Sequence, residues 1–167
     1  MGQLKRLTAL LVFFSLTAAS ANAARVGEKA PEFELQDLDG RAVSLKDYRG
    51  KVVFVDFWAS WCGPCKQELP AINRFLKEQR GADIVCLAIN IDKKKSHAQD
   101  FLSGVAGREK NLVVLYDGDS LVVSRYRVAA MPTSLMIDRE GNVRYIHYGY
   151  NESDPAKWAQ ELNSLLK

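Results

Sequence analysis

The stretch Val52-Val53-Phe54-Val55-Asp56-Phe57-Trp58-Ala59-Ser60-Trp61-Cys62-Gly63-Pro64-Cys65-Lys66 decides the fold. Lys51 to Trp58 is a near-continuous apolar run, the pattern of a strand buried on both faces. Beyond the cysteines, Leu69, Ile72, Phe75 and Leu76 recur at helical spacing, and the helix is expected to end near Gly81, with a kink at Pro70. Between strand and helix stand two thiols in a C-x-x-C spacing. In that context the pair is read as a redox centre rather than a staple. Cys62 is expected at the first helical turn, where unpaired backbone N–H groups and the positive dipole end favour thiolate over thiol. The thiolate is the attacking species in disulfide exchange. Gly63 is expected to permit a tight turn, and Pro64 to occupy a first-turn position where its missing N–H is no loss. A zinc site usually wants a second such pair or nearby histidines. His97 and His147 are the only histidines and neither has ligand spacing, so no metal and no bound cofactor is expected.

Working outward, Glu32 to Gln36 and Arg41 to Leu45 flank Asp39-Gly40 as a short hairpin. Asp83 to Ile91 is a second buried strand. The polar run Asp92 to Lys95 leads to Ser96, expected to cap a helix with Gln99 three residues on and Ala98, Phe101, Leu102 and Val105 inward. Leu112 to Tyr116 is a strand and Leu121 to Tyr126 a short helix. Leu135 to Asp138 and Val143 to Tyr148 make a hairpin. Asp154 is expected to cap a last helix with Pro155 at its first position and Trp158, Leu162 and Leu165 inward. This order, β-β, then β-α-β-α-β-α, then β-β-α, predicts an α/β fold: a mixed sheet with helices on both faces.

At the other end, Lys5 and Arg6 precede the apolar stretch Leu7 to Leu16, and Ala21-Asn22-Ala23 follows as an A-x-A site. That is the grammar of a secretory signal over residues 1–23, leaving one domain over 24–167. Loss of Lys5 and Arg6 takes the formal charge from +3 to +1. Nothing in that balance argues for nucleic acid. Three cysteines are too few for a disulfide scaffold, and Cys86, mid-strand among apolar neighbours, is expected to be a small buried hydrophobe.

The segment Val55 to Cys65 resembles the thioredoxin superfamily, specifically the exported TlpA/ResA-type thiol-disulfide oxidoreductases. The resemblance runs from Gly27-Glu28-Lys29-Ala30-Pro31 to the last helix and includes Met131-Pro132-Thr133, similar to the family's cis-proline loop. Pro70 matches the family's kinked helix, and Asp92 to Gly107 is similar to an insertion typical of that branch. The resemblance implies a thioredoxin fold in which Cys62 is the nucleophile and Cys65 the resolving cysteine. Asp56 then matches the buried carboxylate that accepts the proton of Cys65. Trp61, Gly63, Pro64, Met131 and Pro132 would form the surface that binds substrate, with the Met131 backbone pairing to an extended segment. It further implies a periplasmic or otherwise exported monomer that reduces disulfides in partner proteins and is kept reduced by a membrane electron carrier. Cysteines of apocytochrome c are among the implied substrates.

Two other readings are weighed. Peroxiredoxins share the opening Ala30-Pro31, but place a threonine or serine three residues before the reactive cysteine and a proline four before that; here those positions hold Ala59 and Val55. A Sco-like copper module would want C-x-x-x-C and a poised histidine.

Overall fold

The computed structural model describes residues 23–105 and 107–167. The expected signal segment, Ala23 excepted, lies outside the described residues. In chain order the elements are β1 (Glu34–Asp37), β2 (Ala42–Ser44), a 3-10 turn (Leu45–Tyr48), β3 (Val52–Trp58), α1 (Cys65–Glu78), β4 (Ile84–Asn90), α2 (Lys95–Ser103), β5 (Leu112–Tyr116), α3 (Leu121–Arg125), β6 (Thr133–Ile137), β7 (Val143–Tyr148) and α4 (Asp154–Leu165).

Among the described residues the strands form one mixed sheet in the order β2-β1-β5-β4-β3-β6-β7. The centre, β5-β4-β3, is parallel, and both flanks are antiparallel. Strands β3 and β4 are buried at every position, as parallel strands covered on both faces must be. Alternation then sends Phe54, Trp58, Cys86, Ala88 and Met136 to one face, under the side chains of α1, α2 and α4. Val53, Val55, Phe57, Leu87, Ile89 and Leu135 go to the other, against α3, Phe33 and Leu45.

The element order and fold class match the sequence-based expectation. Several details differ. Ser96 lies inside α2 rather than at its cap, which is Lys94 with no side-chain cap bond. Asp154 is the first residue of α4, and its carboxylate accepts the N–H of Asn151, not one of its own helix. Pro70 sits inside α1 without ending it. Its missing N–H deprives only the carbonyl of Lys66, an exposed residue, of a helical partner.

The α1/α4 face is closed by aromatic packing. Trp158 is fully buried, with its ring centroid 5.2 Å from that of Phe54 and 5.8 Å from that of Phe75. Its indole N–H has no partner, so its contribution is packing alone. Trp158→Ala is expected to cost about 3–5 kcal/mol in denaturant unfolding. Trp158→Phe should cost clearly less, because it keeps an aromatic ring in the site and loses no hydrogen bond. Equal losses would show that the ring-to-ring contacts contribute little.

Candidate active site

Strand β3 and helix α1 present the two cysteines at the carboxyl end of the parallel strands, where α/β sheets place their sites. The loop between them is tied down by a buried carboxylate. Asp92 accepts the Ser60 N–H at 3.1 Å, the Ser60 hydroxyl at 3.0 Å and an Asn90 amide N–H at 2.8 Å. The Ile91 N–H also donates to the Trp58 carbonyl at 3.1 Å. Asp92, which opens the polar run Asp92 to Lys95, is fully buried and fastens the loop to the end of β4.

Cys62 and Cys65 are joined as a disulfide, with Cα atoms 5.3 Å apart. Regular helix begins at Cys65, so Cys62 lies just before α1 and not in its first turn; Pro64 is at the cap position rather than the first helical one. The Cys62 sulfur nevertheless faces a backbone N–H of the helix start. The Cys62 carbonyl accepts the Lys66 N–H at 3.3 Å, and the Cys62 sulfur accepts the Cys65 N–H at 3.3 Å. Cys62 therefore caps the helix through its sulfur, as an N-cap hydroxyl would, and an N–H pointing at sulfur stabilises the thiolate. Gly63 differs from its expectation too. Its φ is not positive and a Cβ there would meet open space, so no tight turn requires it. Its effect is to leave the surface beside Cys62 bare.

Around the disulfide, Trp61 is 65% exposed, whereas Trp58 is core and packs on Phe101. The Met131–Pro132 bond is cis. Pro132 is buried, its carbonyl accepts the Gly149 N–H at 2.9 Å, and Met131 packs on the apolar cluster that contains both cysteines.

Asp56 lies on the same sheet face, buried to 1% exposure, and neither carboxyl oxygen has a protein partner. Burial holds its proton affinity far above that of an ordinary aspartate. Beside it is a residue that sequence reasoning missed. Glu68, in the first turn of α1, is also buried, and burial together with the Asp56 charge pushes its carboxyl up as well. The signal was available: Glu68 stands three residues after Cys65, on the stripe that continues through Leu69, Ile72 and Phe75.

The polar set extends across the sheet. Asp56 pairs in register with Ser134, and Ser134 with His147. The Ser134 hydroxyl is 3.3 Å from Glu68 Oε1 and 3.5 Å from His147 Nδ1, and His147 Nε2 is 2.8 Å from Glu161 Oε2 on α4. Burial lowers the His147 pKa, and the Glu161 carboxyl opposes that shift. Cys86 is fully buried, with its thiol pushed up by burial and then by Asp56 and Glu68, so it is no nucleophile.

A sheet of this topology with a C-x-x-C disulfide at the head of its first core helix defines a thioredoxin-fold thiol-disulfide oxidoreductase. The chain belongs to the Redoxin family, whose model matches residues 25–162. It is 34% identical over 143 residues to the thiol-disulfide oxidoreductase ResA of Geobacillus thermodenitrificans, covering 86% of this chain and 79% of the relative. Among solved structures, a Chlorobium tepidum protein assigned as thiol:disulfide interchange protein DsbE superposes with a TM-score of 0.80 at 36% identity, covering 87% of this chain and all of that one. The exposed lipoprotein thioredoxin Etrx1 of Streptococcus pneumoniae superposes with a TM-score of 0.66 at 35% identity, covering 80% of this chain and 99% of that one.

The carboxyl of Asp56 makes stability depend on pH. The unfolded chain releases that proton near the ordinary value of 3.8, whereas the folded chain holds it to about 8. Across that window the unfolded state binds fewer protons, so this residue lowers stability as pH rises. Asp56→Asn should therefore be more stable than the wild type by a margin that is small in acid and reaches ~1–3 kcal/mol at the alkaline end. Denaturant unfolding across pH checks this; a pH-independent margin would contradict it. In the folded, reduced protein, alkylation should label Cys62 quickly and Cys86 only on unfolding.

Proposed function

We propose that the protein is an exported monomeric dithiol reductant that acts on disulfides in partner proteins. The observation that carries the reading is the pairing of a sulfur-capped Cys62 with a buried acid pair, Asp56 and Glu68, on the sheet face behind α1. Reduced Cys62 attacks a substrate disulfide as the thiolate. A Cys62–substrate mixed disulfide forms and one substrate sulfur leaves as thiolate. One acid of the Asp56/Glu68 pair first releases its proton; Cys65 then gives up its proton to that carboxylate and attacks the Cys62 sulfur. The second substrate sulfur leaves, and two electrons have passed from the protein to the substrate. A carboxyl whose proton affinity has been raised toward that of a thiol is matched to this transfer.

Trp61, the bare surface at Gly63 and Pro64, and the Met131–Pro132 loop form the docking face. An extended segment of the partner lies against the Met131 backbone, and Trp61 supplies exposed aromatic area. The signal-like residues 1–23 support export with a mature domain over 24–167, as does similarity to a lipoprotein described as exposed. In an oxidising compartment the dithiol needs resupply, which we assign to a membrane electron carrier. ResA-type similarity favours oxidised haem-site cysteines of apocytochrome c among the substrates.

Turnover of insulin disulfides with dithiothreitol as donor tests the mechanism. Cys62→Ser should abolish it. Cys65→Ser should keep the first attack and accumulate a covalent adduct that identifies the substrate. Wild-type turnover in Cys62→Ser would refute the dithiol mechanism. An adduct population without disulfide-bearing exported proteins would refute the substrate class.

A further inference from the structure

The thiol proton taken up behind Cys65 has to leave a region without solvent access, because Asp56, Glu68 and Ser134 are each about 1% exposed. The cysteine side is closed by α1 and by apolar packing, in which Trp58, Leu69 and Phe54 are fully buried. In the other direction, a line of groups able to both give and accept a proton runs through the protein. Ser134 sits one strand away from Asp56 and His147 one strand further, in a single cross-strand row on one face of the sheet. Glu68 reaches this row from α1 at 3.3 Å, and Glu161 reaches it from α4 at 2.8 Å.

We infer that Ser134, His147 and Glu161 form a proton conduit that carries protons between the Asp56/Glu68 pair and the protein surface at α4. The inference rests on the reading that this pair accepts the Cys65 proton.

The chain of groups works in two polarities. With Glu68 ionised the Ser134 hydroxyl donates to Glu68 Oε1; with Glu68 protonated that bond reverses, so that Glu68 donates to the Ser134 oxygen, Ser134 donates to His147 Nδ1, and His147 donates from Nε2 to Glu161. Shifting one proton along each link leaves Glu68 ionised, His147 protonated on Nδ1 instead of Nε2, and Glu161 protonated. Glu161 then releases its proton to water. No bond to carbon or sulfur changes, and one proton leaves for each one accepted from Cys65. When the disulfide is reduced again, a proton must return, and the same links reset in the opposite sense. Neutral imidazole is the state this exchange needs, and burial of His147 favours it.

The charged groups around the conduit fit this direction of travel. On α4, Lys157 Nζ lies 3.9 Å from Glu161 Oε1; the Lys157 side chain is 60% exposed and that of Glu161 only 8%, so Glu161 is itself buried and its last step to water runs past the exposed Lys157. Lys157 acts against charge on His147, while Asp154 acts in its favour and also raises Glu68. From β3, Phe54 stacks on the imidazole with an interplanar angle of 15°, which fixes the ring plane and leaves both nitrogens free for the row. The link between Ser134 and His147, at 3.5 Å, is the longest of the three.

Ser134, His147 and Glu161 are thus positioning and relay residues, and the readout must separate them from structural ones. Single-turnover reduction of a disulfide peptide, quenched and resolved by mass, gives the rate of mixed-disulfide formation and the rate of its resolution separately. Ser134→Ala, His147→Phe and Glu161→Gln are expected to leave formation unchanged and to slow resolution by ~10-fold or more. They should also displace the pH profile of resolution. Ser134→Thr keeps the hydroxyl and should retain the wild-type rate. The Ser134 pair keeps the test open should His147→Phe fail to fold, since it changes one small side chain. Wild-type resolution with an unaltered pH profile in folded Ser134→Ala would overturn the conduit. Asp56→Asn in the same assay distinguishes the two failures. If it slows resolution while Ser134→Ala does not, only the route is wrong; if neither slows it, the acid-pair reading has failed as well.

Discussion

Asp56 lies in a strand whose six other residues are apolar, and the sheet offers its carboxyl no hydrogen-bond partner. Much of the site follows from that placement. A charge there would be very costly, so the group holds its proton until the pH is well above the carboxylate range. An acid with that affinity is poor at stabilising a fold but well matched to a thiol. Glu68 raises the mismatch further. Its carboxyl comes from the helix that begins at Cys65, so the same first turn supplies both Cys65 and the second acid. Asp56, Glu68 and Cys65 are each about 1% exposed, so both acids and the second cysteine are shut off from water.

The rest of the architecture keeps that region dry and fixed. Strand β3 lies between β4 and β6, so its backbone is paired on both edges and cannot open to water. Trp158 and Phe75 cover the face next to the acids. The loop carrying Cys62 does not rely on its own sequence for shape. Asp92, at the end of the neighbouring strand, holds the backbone and hydroxyl of Ser60, two residues before Cys62. What is left exposed is narrow: Trp61, the space beside Gly63, and the loop approaching Pro132. The proposed docking face is thus a small rim around a largely buried sulfur pair.

Most of the fold was legible in the sequence, because its signals are local. Runs such as Ile84–Asn90 declare themselves as buried strands, and the stripe of α1 as a helix, without reference to the rest of the chain. The cysteine pair was legible for the same reason. The missed parts depend on long-range placement. A glutamate on an apolar stripe is ordinarily taken to snorkel out, and only the sheet lying over α1 shows that Glu68 has no way out. Asp92 opens a run of lysines, which reads as solvent-facing until β4 and the Ser60 loop are seen to enclose it. Ser134, His147 and Glu161 are far apart in sequence. Their alignment depends on the register of β3 with β6 and of β6 with β7, which no window of sequence contains. The cap errors at Ser96 and Asp154 are smaller in kind: the side chains favour a helix start, but the backbone begins the helix a residue or two earlier.

A dry site solves one problem and creates another. Excluding water raises the carboxyl proton affinity toward that of a thiol, but it also removes the medium that would normally carry the proton away. On the proposed reading, every turnover adds a proton to the acid pair, and every reduction takes one back. A pair that could not exchange with solvent would stall after one event, however well its pKa matched. The exit must therefore consist of protein groups that both donate and accept. On the disulfide side the neighbours are aromatic and aliphatic. On the α4 side they are a hydroxyl, an imidazole and a carboxyl, in line and within reach of one another. Burying three such groups in a core costs stability unless they are paired. These are paired to one another from Glu68 through Ser134 and His147 to Glu161, the arrangement on which the proposed conduit rests.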